Sequence, residues 1–124
     1  MQLTRDSVPA NLIRAWEPGR IRIAERWITG HLLVMPERIV EGWNVVSPTG
    51  LVLHDLREAL AVEPEIVLLG TGLDLLWPDA DLAGELAASG VGLEIMSTPA
   101  ASRTFNVLVQ EQRRVVAALF NFEK

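Results

Sequence analysis

The sequence of 124 residues contains no cysteine. This absence excludes disulfide bonds, thiolate catalysis and metal sites built from cysteine. Basic residues are also scarce, since 11 lysines and arginines face 16 aspartates and glutamates, for a formal net charge of −5. We therefore expect the chain to bind neither nucleic acid nor an anionic membrane surface, because it has no excess of positive charge to neutralise phosphates.

Long apolar runs and a targeting pattern are absent as well. No apolar stretch approaches the roughly 18 residues of a membrane span. The first 16 residues, MQLTRDSVPANLIRAW, have neither the apolar centre of a signal peptide nor the acid-poor, Arg-rich and Ser-rich character of a transit peptide. These observations predict a cytoplasmic protein. The length, with 49% hydrophobic residues and no interdomain linker, predicts one globular domain over residues 1–124.

Short strands are predicted in the first half of the chain. Residues 20–23, RIRI, alternate in polarity after a turn at Pro18-Gly19, as a half-buried strand does. A further extended run covers residues 27–35 with a bend at Gly30. Another short run covers residues 39–46. The amino-terminal part is therefore expected to be mostly sheet.

Helices alternate with strands in the second half. The pattern predicts a short helix at 54–61 and a strand at 66–69, which is apolar at every position and therefore covered on both faces. A helix at 78–89, a strand at 91–97 and a last helix at 99–120 follow. This order is a parallel βαβ unit followed by a terminal helix, so the fold class is α/β.

The two strands of that βαβ unit bring two loops to one edge of the sheet. Gly70-Thr71-Gly72 follows the first strand, and Ser97-Thr98-Pro99 follows the second. Open α/β sheets bind ligands at this edge, and Arg103, about one turn into the last helix, can lean back toward it. A small anionic ligand would suit such a crevice. The candidate ligand-binding residues are Gly70, Thr71, Gly72, Thr98, Arg103, Thr104 and Asn106.

Each part of this candidate site also has a purely structural explanation. The GTG lacks the third glycine of a dinucleotide fingerprint and the Gly-Lys-Ser/Thr ending of a phosphate loop, so its glycines can simply allow a tight turn. Asp79 and Asp81 begin the next helix and would repel an anion. Capping the last helix would by itself account for Thr98. A surface position, or an ion pair with an acidic neighbour, would by itself account for Arg103.

No catalytic or metal-binding set is evident, so we predict no metal or cofactor, and catalytic residues stay unknown. His31 and His54 have no partner at ligand spacing. Ser97 and Ser102 have no evident base and no nucleophile elbow. Four tryptophans are an unusual load for this length. Core packing accounts for most of them, but an exposed one would mark a partner surface.

Three segments of the second half together resemble a known family. LLGTG at 68–72, VGLEIMST at 91–98 and AASRTFNVLVQEQRRVVAAL at 100–119 are similar to the Mth938-like domain of unknown function. The mitochondrial relatives of that family include respiratory complex I assembly factor 3. GRIRI at 19–23 and WNVV at 43–46 extend the resemblance over nearly the whole chain.

The resemblance implies a three-layer α/β fold, with a mixed central sheet, a β-rich amino-terminal part and a carboxyl-terminal βαβα unit. It carries no established enzymatic activity. Arg103 is variable among the mitochondrial relatives, and Ser102 stands where relatives often have cysteine, so neither implies shared chemistry. The family motif positions in this sequence are Gly70, Thr71, Gly72, Met96, Thr98, Ala101, Thr104, Asn106, Leu108 and Glu111.

Three hypotheses about function follow. The favoured one is a non-enzymatic binding or assembly module, linked to respiratory-complex biogenesis, that presents the Gly70/Thr98 edge to a protein or small ligand. The alternative is a small enzyme or carrier that holds an anionic ligand in the crevice between Gly70-Gly72 and Thr98-Arg103. The third is a homodimer formed through an apolar patch.

Overall fold

The computed structural model describes residues 9–123. Residues 1–8, half of the segment that predicts the cellular location, lie outside this range. Within it the chain forms two sheets, one of three strands and one of five. The strands are β1 (Ile13–Glu17), β2 (Arg20–Ile23), β3 (Arg26–Thr29), β4 (Leu32–Met35), β5 (Arg38–Glu41), β6 (Ile66–Gly70), β7 (Gly92–Met96) and β8 (Val115–Leu119). The α-helices are α1 (Arg57–Leu60), α2 (Ala80–Ala88) and α3 (Thr98–Gln110).

The larger sheet is mixed, with strand order β5-β4-β8-β6-β7. Strand β6 runs parallel to both of its neighbours, β7 and β8, whereas β4 and β5 are antiparallel additions. The smaller sheet is an antiparallel meander of β1, β2 and β3. The predicted parallel arrangement of β6 and β7 is confirmed.

Three layers enclose two cores, one on each face of the larger sheet. Val67 and Leu69 point into the core that includes Leu82 and Leu86 of α2. Leu68, between them, points into the opposite core with Phe105 of α3 and Ile21 of the smaller sheet. Both faces of β6 are therefore buried, which explains why its sequence is apolar at every position. The three-layer α/β architecture and the mixed central sheet are as predicted.

The predicted last helix at 99–120 is wrong in its second half. Helix α3 ends at Gln110, and Gln112 takes a left-handed φ of 64° that turns the chain back. Residues 115–119 then form β8, the central strand of the larger sheet, with every side chain buried. An apolar run buried on both faces has no strand alternation, so periodicity does not distinguish it from a buried helix. The carboxyl-terminal unit is thus βαβαβ.

Smaller differences concern the ends of elements. Strand β1, with no prediction of its own, pairs with β2 across the turn at Pro18-Gly19. The extended run at 39–46 is a strand only as far as Glu41. The predicted helix at 54–61 is a 3-10 turn, Leu53–Leu56, that continues into α1. Helix α2 begins after an Asp79 cap, so Pro78 precedes the helix and is not in its first turn.

Candidate functional site

Three parallel strands end at one edge of the larger sheet, here called the carboxyl edge. In the register, Gly70 at the end of β6 lies opposite Met96 of β7 and Leu119 of β8. The loops that follow these strands, beginning at Thr71, Ser97 and Phe120, therefore emerge together. The expected meeting of the GTG loop and the Thr98 loop is confirmed.

Thr98 ties these three loops together. Its side chain is fully buried, and its Oγ1 donates to the Phe120 carbonyl at 2.5 Å and accepts from the Gly72 amide at 2.8 Å. Its backbone amide donates to the Gly72 carbonyl at 2.8 Å. The Phe120 amide in turn donates to the Gly70 carbonyl at 2.8 Å. We call these four residues the Thr98 junction; their polar groups bind one another.

The prediction that Thr98 caps the last helix is wrong by one residue. Ser97 is the N-cap, since its Oγ accepts from the Ala100 amide at 3.3 Å, and Thr98 is already the first helical residue. This one-residue difference leaves the Thr98 hydroxyl available for the junction. The Ser102 hydroxyl donates to the Thr98 carbonyl one turn earlier in α3, so its hydrogen bond is made within the helix.

The two glycines of the GTG loop permit close packing. A Cβ on Gly70 would lie 2.9 Å from Thr98 Cα, and one on Gly72 would lie 2.9 Å from the Phe122 ring. Gly72 also has a φ of 93°, which residues with a Cβ rarely adopt. The space next to these glycines is thus filled by the protein's own Thr98 and Phe122.

Thr71 orders the loop that leaves this junction. The side chain is 1% exposed, and its Oγ1 donates to the Asp74 carbonyl at 2.6 Å and accepts from the Leu76 amide at 3.2 Å. Residues 73–77, here called the apolar loop, are therefore fixed at their base. The loop nevertheless exposes 59% of Leu73, 51% of Leu75 and 61% of Trp77. Two tryptophans are exposed, Trp77 on this loop and Trp27 on β3, and either could indicate a partner surface. Trp27 is only 36% exposed and its ring centre lies 3.9 Å from the Arg20 guanidinium carbon, so Trp77 is the less covered of the two.

His31 has a structural role at the same edge. Its Nδ1 accepts from the Asn121 amide at 2.8 Å, and its ring lies 5.0 Å from the ring centres of both Phe120 and Phe122. Burial lowers the pKa of His31, so the neutral form that can accept this hydrogen bond is favoured. The Asn121 Oδ1 accepts from Trp16 Nε1 at 3.0 Å, which connects the smaller sheet to this edge.

The candidate residues farther along α3, Arg103, Thr104 and Asn106, are not part of the junction. The Asn106 side chain accepts from the Ile13 amide and donates to the Ile13 carbonyl, both at 2.8 Å, and so fastens β1 to α3. Thr104 is half-buried. Arg103 is exposed and lines a shallow pocket of 270 Å³ with Arg14, Asn106 and neighbours; none of Gly70, Thr71, Gly72 and Thr98 lines it. Four of the seven predicted site residues therefore lie at the carboxyl edge, Arg103 and Asn106 line the pocket, and Thr104 belongs to neither. Ligand binding by the seven residues stays a prediction.

A larger cleft, 380 Å³, lies at the opposite edge of the sheet, between the β4–β5 turn and the turn after α3. The three arginines that line it have carboxylate partners. Arg38 lies 3.1 Å from Glu58, and Arg113 and Arg114 lie 2.7 Å and 3.3 Å from the same residue, Glu65. The hydrogen bond from Arg113 lowers the pKa of Glu65. Because Glu37 also lines the cleft, three carboxylates balance the three arginines, and the cleft offers an anion no excess of positive charge.

Within residues 9–123 no three His, Cys, Asp or Glu side chains cluster as metal ligands. The longest helix of this range has 13 residues, and none is long and apolar enough to cross a membrane.

Similarity to known proteins defines the fold and the family of this chain. A solution structure of a Mth938-like domain from Bordetella pertussis matches with a TM-score of 0.78 at 29% identity, over 98% of this chain and 92% of that chain. The fold is therefore Mth938-like. A family model described as "Protein of unknown function (DUF498/DUF598)" matches residues 13–120, and the chain belongs to that family. The predicted family is confirmed.

Two relatives illustrate the range of the family. An uncharacterised protein of Rhodobacter capsulatus is 40% identical over 107 residues, which are 86% of this chain and 82% of its own. The NADH dehydrogenase (ubiquinone) 1 alpha subcomplex assembly factor 3 of Danio rerio is 30% identical over 119 residues, which are 94% of this chain and 68% of its own.

Proposed function

We propose that this chain is a non-enzymatic protein-binding module of the assembly-factor kind, and that it docks its partner on the apolar loop at the carboxyl edge. The observation that carries the proposal is the exposure of Leu73, Leu75 and Trp77 on a loop held by buried hydrogen bonds of Thr71. Large apolar side chains on a fixed backbone lose little conformational entropy on binding, and tryptophan is enriched at the energetic centres of interfaces.

The Thr98 junction supports this role by supplying a rigid base. Its donors and acceptors bind each other, so the edge offers few free polar groups to a small molecule, whereas the adjacent loop offers apolar surface. The Danio rerio relative is named as an assembly factor of NADH dehydrogenase. By extension, we propose a protein of a respiratory complex, or of its assembly, as the partner.

Site-specific cross-linking in the native host tests the proposal. A photo-reactive phenylalanine analogue replaces Leu75 in one variant and Val107 in a matched control, since Val107 is 52% exposed on α3. We expect position 75 to give one discrete cross-linked product, and position 107 to give no product of the same mass. Equal products from both positions, or none from position 75, would reject the proposal.

A second candidate is binding of a small anion at the pocket on α3. It is favoured by one observation: Arg14 and Arg103, both exposed, line the same 270 Å³ pocket. Titration with inorganic phosphate, followed by amide shifts in NMR spectra, tests it. Saturable shifts around Ser102 and Asn106 that vanish in Arg103→Ala would support it, and unchanged shifts in that variant would reject it.

A further inference from the structure

The net charge of the chain is confined to one segment. Between residues 66 and 102 there is no lysine or arginine, and elsewhere 11 basic residues balance 11 acidic ones. The segment therefore accounts for the whole formal charge of −5. Its acidic residues are Asp74, Asp79, Asp81, Glu85 and Glu94.

Three of these carboxylates lie within the apolar loop or shortly after it in the chain. Asp74 lies within the loop between Leu73 and Leu75, and Asp79 and Asp81 follow Trp77 at the start of α2. All three are exposed, and none takes part in an ion pair within residues 9–123. The charged residues next to the exposed apolar side chains in the chain are thus all acidic.

We infer that the partner presents an apolar surface bordered by lysine or arginine side chains, and that these pair with the carboxylates around the apolar loop. This inference rests on the proposed function and specifies its partner. Charge complementarity selects a basic protein over two other occupants. A second copy of this chain would bring the same acidic surface against itself, and an anionic lipid surface would repel it.

Apolar and charged groups are expected to contribute differently. Leu73, Leu75 and Trp77 lose most of their exposed area on docking and provide most of the affinity. The carboxylates stay near the rim, where charges mainly raise the association rate and make binding sensitive to salt. The two contributions can therefore be separated by mutation.

The experiment uses the full chain and the purified protein that cross-links through position 75. One variant carries Asp74→Asn, Asp79→Asn and Asp81→Asn; asparagine caps helices as well as aspartate does, so the cap of α2 at Asp79 is retained. A matched control removes three exposed charges elsewhere, with Glu25→Gln, Glu37→Gln and Glu111→Gln. We expect the first variant to bind about tenfold more weakly, with a shallower dependence of log Kd on log salt, and the control to bind as wild type.

The outcomes distinguish this inference from the proposed function. If Trp77→Ala leaves the affinity unchanged, the apolar loop is not the docking site and the proposed function fails. If Trp77→Ala abolishes binding but the triple asparagine variant keeps wild-type affinity and salt dependence, only the basic character of the partner is refuted. Self-association of the chain through position 75, or its sedimentation with phosphatidylcholine vesicles in a Trp77-dependent manner, would likewise overturn the inference.

Discussion

Replacing Gly70 with alanine tests whether the Thr98 junction is closely packed. The new Cβ would lie 2.9 Å from Thr98 Cα and 3.0 Å from Thr98 Oγ1. Non-bonded carbon atoms prefer separations of roughly 3.5–4.0 Å, and Thr98 is held by the junction hydrogen bonds, so the backbone must move. Overpacking of this kind costs about 1–3 kcal/mol. The reduced entropy of the unfolded chain returns about 0.4–1 kcal/mol, so we expect a net destabilisation of about 1–2 kcal/mol.

Urea denaturation of Gly70→Ala and of a matched variant measures this effect. Gly92 is the control, because it lies at the start of β7 in the same sheet and its added Cβ would come no nearer than 3.8 Å to any atom. We expect Gly92→Ala to unfold at the wild-type urea concentration or above, and Gly70→Ala at a clearly lower one, with the same m-value. Equal midpoints for the two alanine variants would refute the close packing inferred at the junction.

Three further predictions concern the stability of the folded chain. Thr98→Val keeps the side-chain shape but leaves the Gly72 amide and the Phe120 carbonyl buried without this partner. We therefore expect the free energy of unfolding to fall by about 2–4 kcal/mol. The control Thr98→Ser keeps the hydroxyl and should lie much closer to wild type in the same denaturation assay. Gly84→Ala, on an open face of α2 where the added Cβ has no atom within 4 Å, should stabilise the chain by about 1 kcal/mol and raise Tm. Burial lowers the pKa of His31 in the folded chain, so the unfolded chain binds the proton more readily. The stability that neutral His31 contributes is therefore complete above the unfolded pKa of 6.5 and is lost as the pH falls below that value. Urea midpoints measured across this range should decline in wild type and decline less in His31→Asn, whose amide oxygen can still accept; identical pH profiles would contradict this reasoning.

The sequence predicted those parts of the fold that have a distinctive pattern. Residues 20–23 alternate in polarity, and β2 indeed has one face buried. Residues 66–69 are apolar throughout, and β6 is covered on both sides. Strand β8 was not predicted, because its Val-Val-Ala-Ala-Leu sequence follows helix α3 and no glycine or proline separates the strand from the helix. Its strand conformation comes from pairing with β4 and β6, which is tertiary information.

The candidate site was predictable in position but not in chemistry. Parallel strands bring Gly70 and Thr98 together, and that follows from topology alone. What the Thr98 hydroxyl binds depends on Phe120, which lies in a stretch predicted as helix, so the closure of the crevice could not be foreseen. The exposure of Leu73 and Leu75 was equally hidden, because composition does not show which apolar side chains lack a covering layer.

Hydrogen–deuterium exchange of the chain, free and bound to the protein cross-linked through position 75, tests the central claim most directly. In the free chain, slow exchange is predicted for the amides of Gly72 and Leu76, which donate to buried hydroxyls of Thr98 and Thr71. In the complex, added protection is predicted across residues 73–79 and little change in the β1–β3 sheet. Protection that arises on β1–β3 or α3 while residues 73–79 exchange as in the free chain would contradict the account.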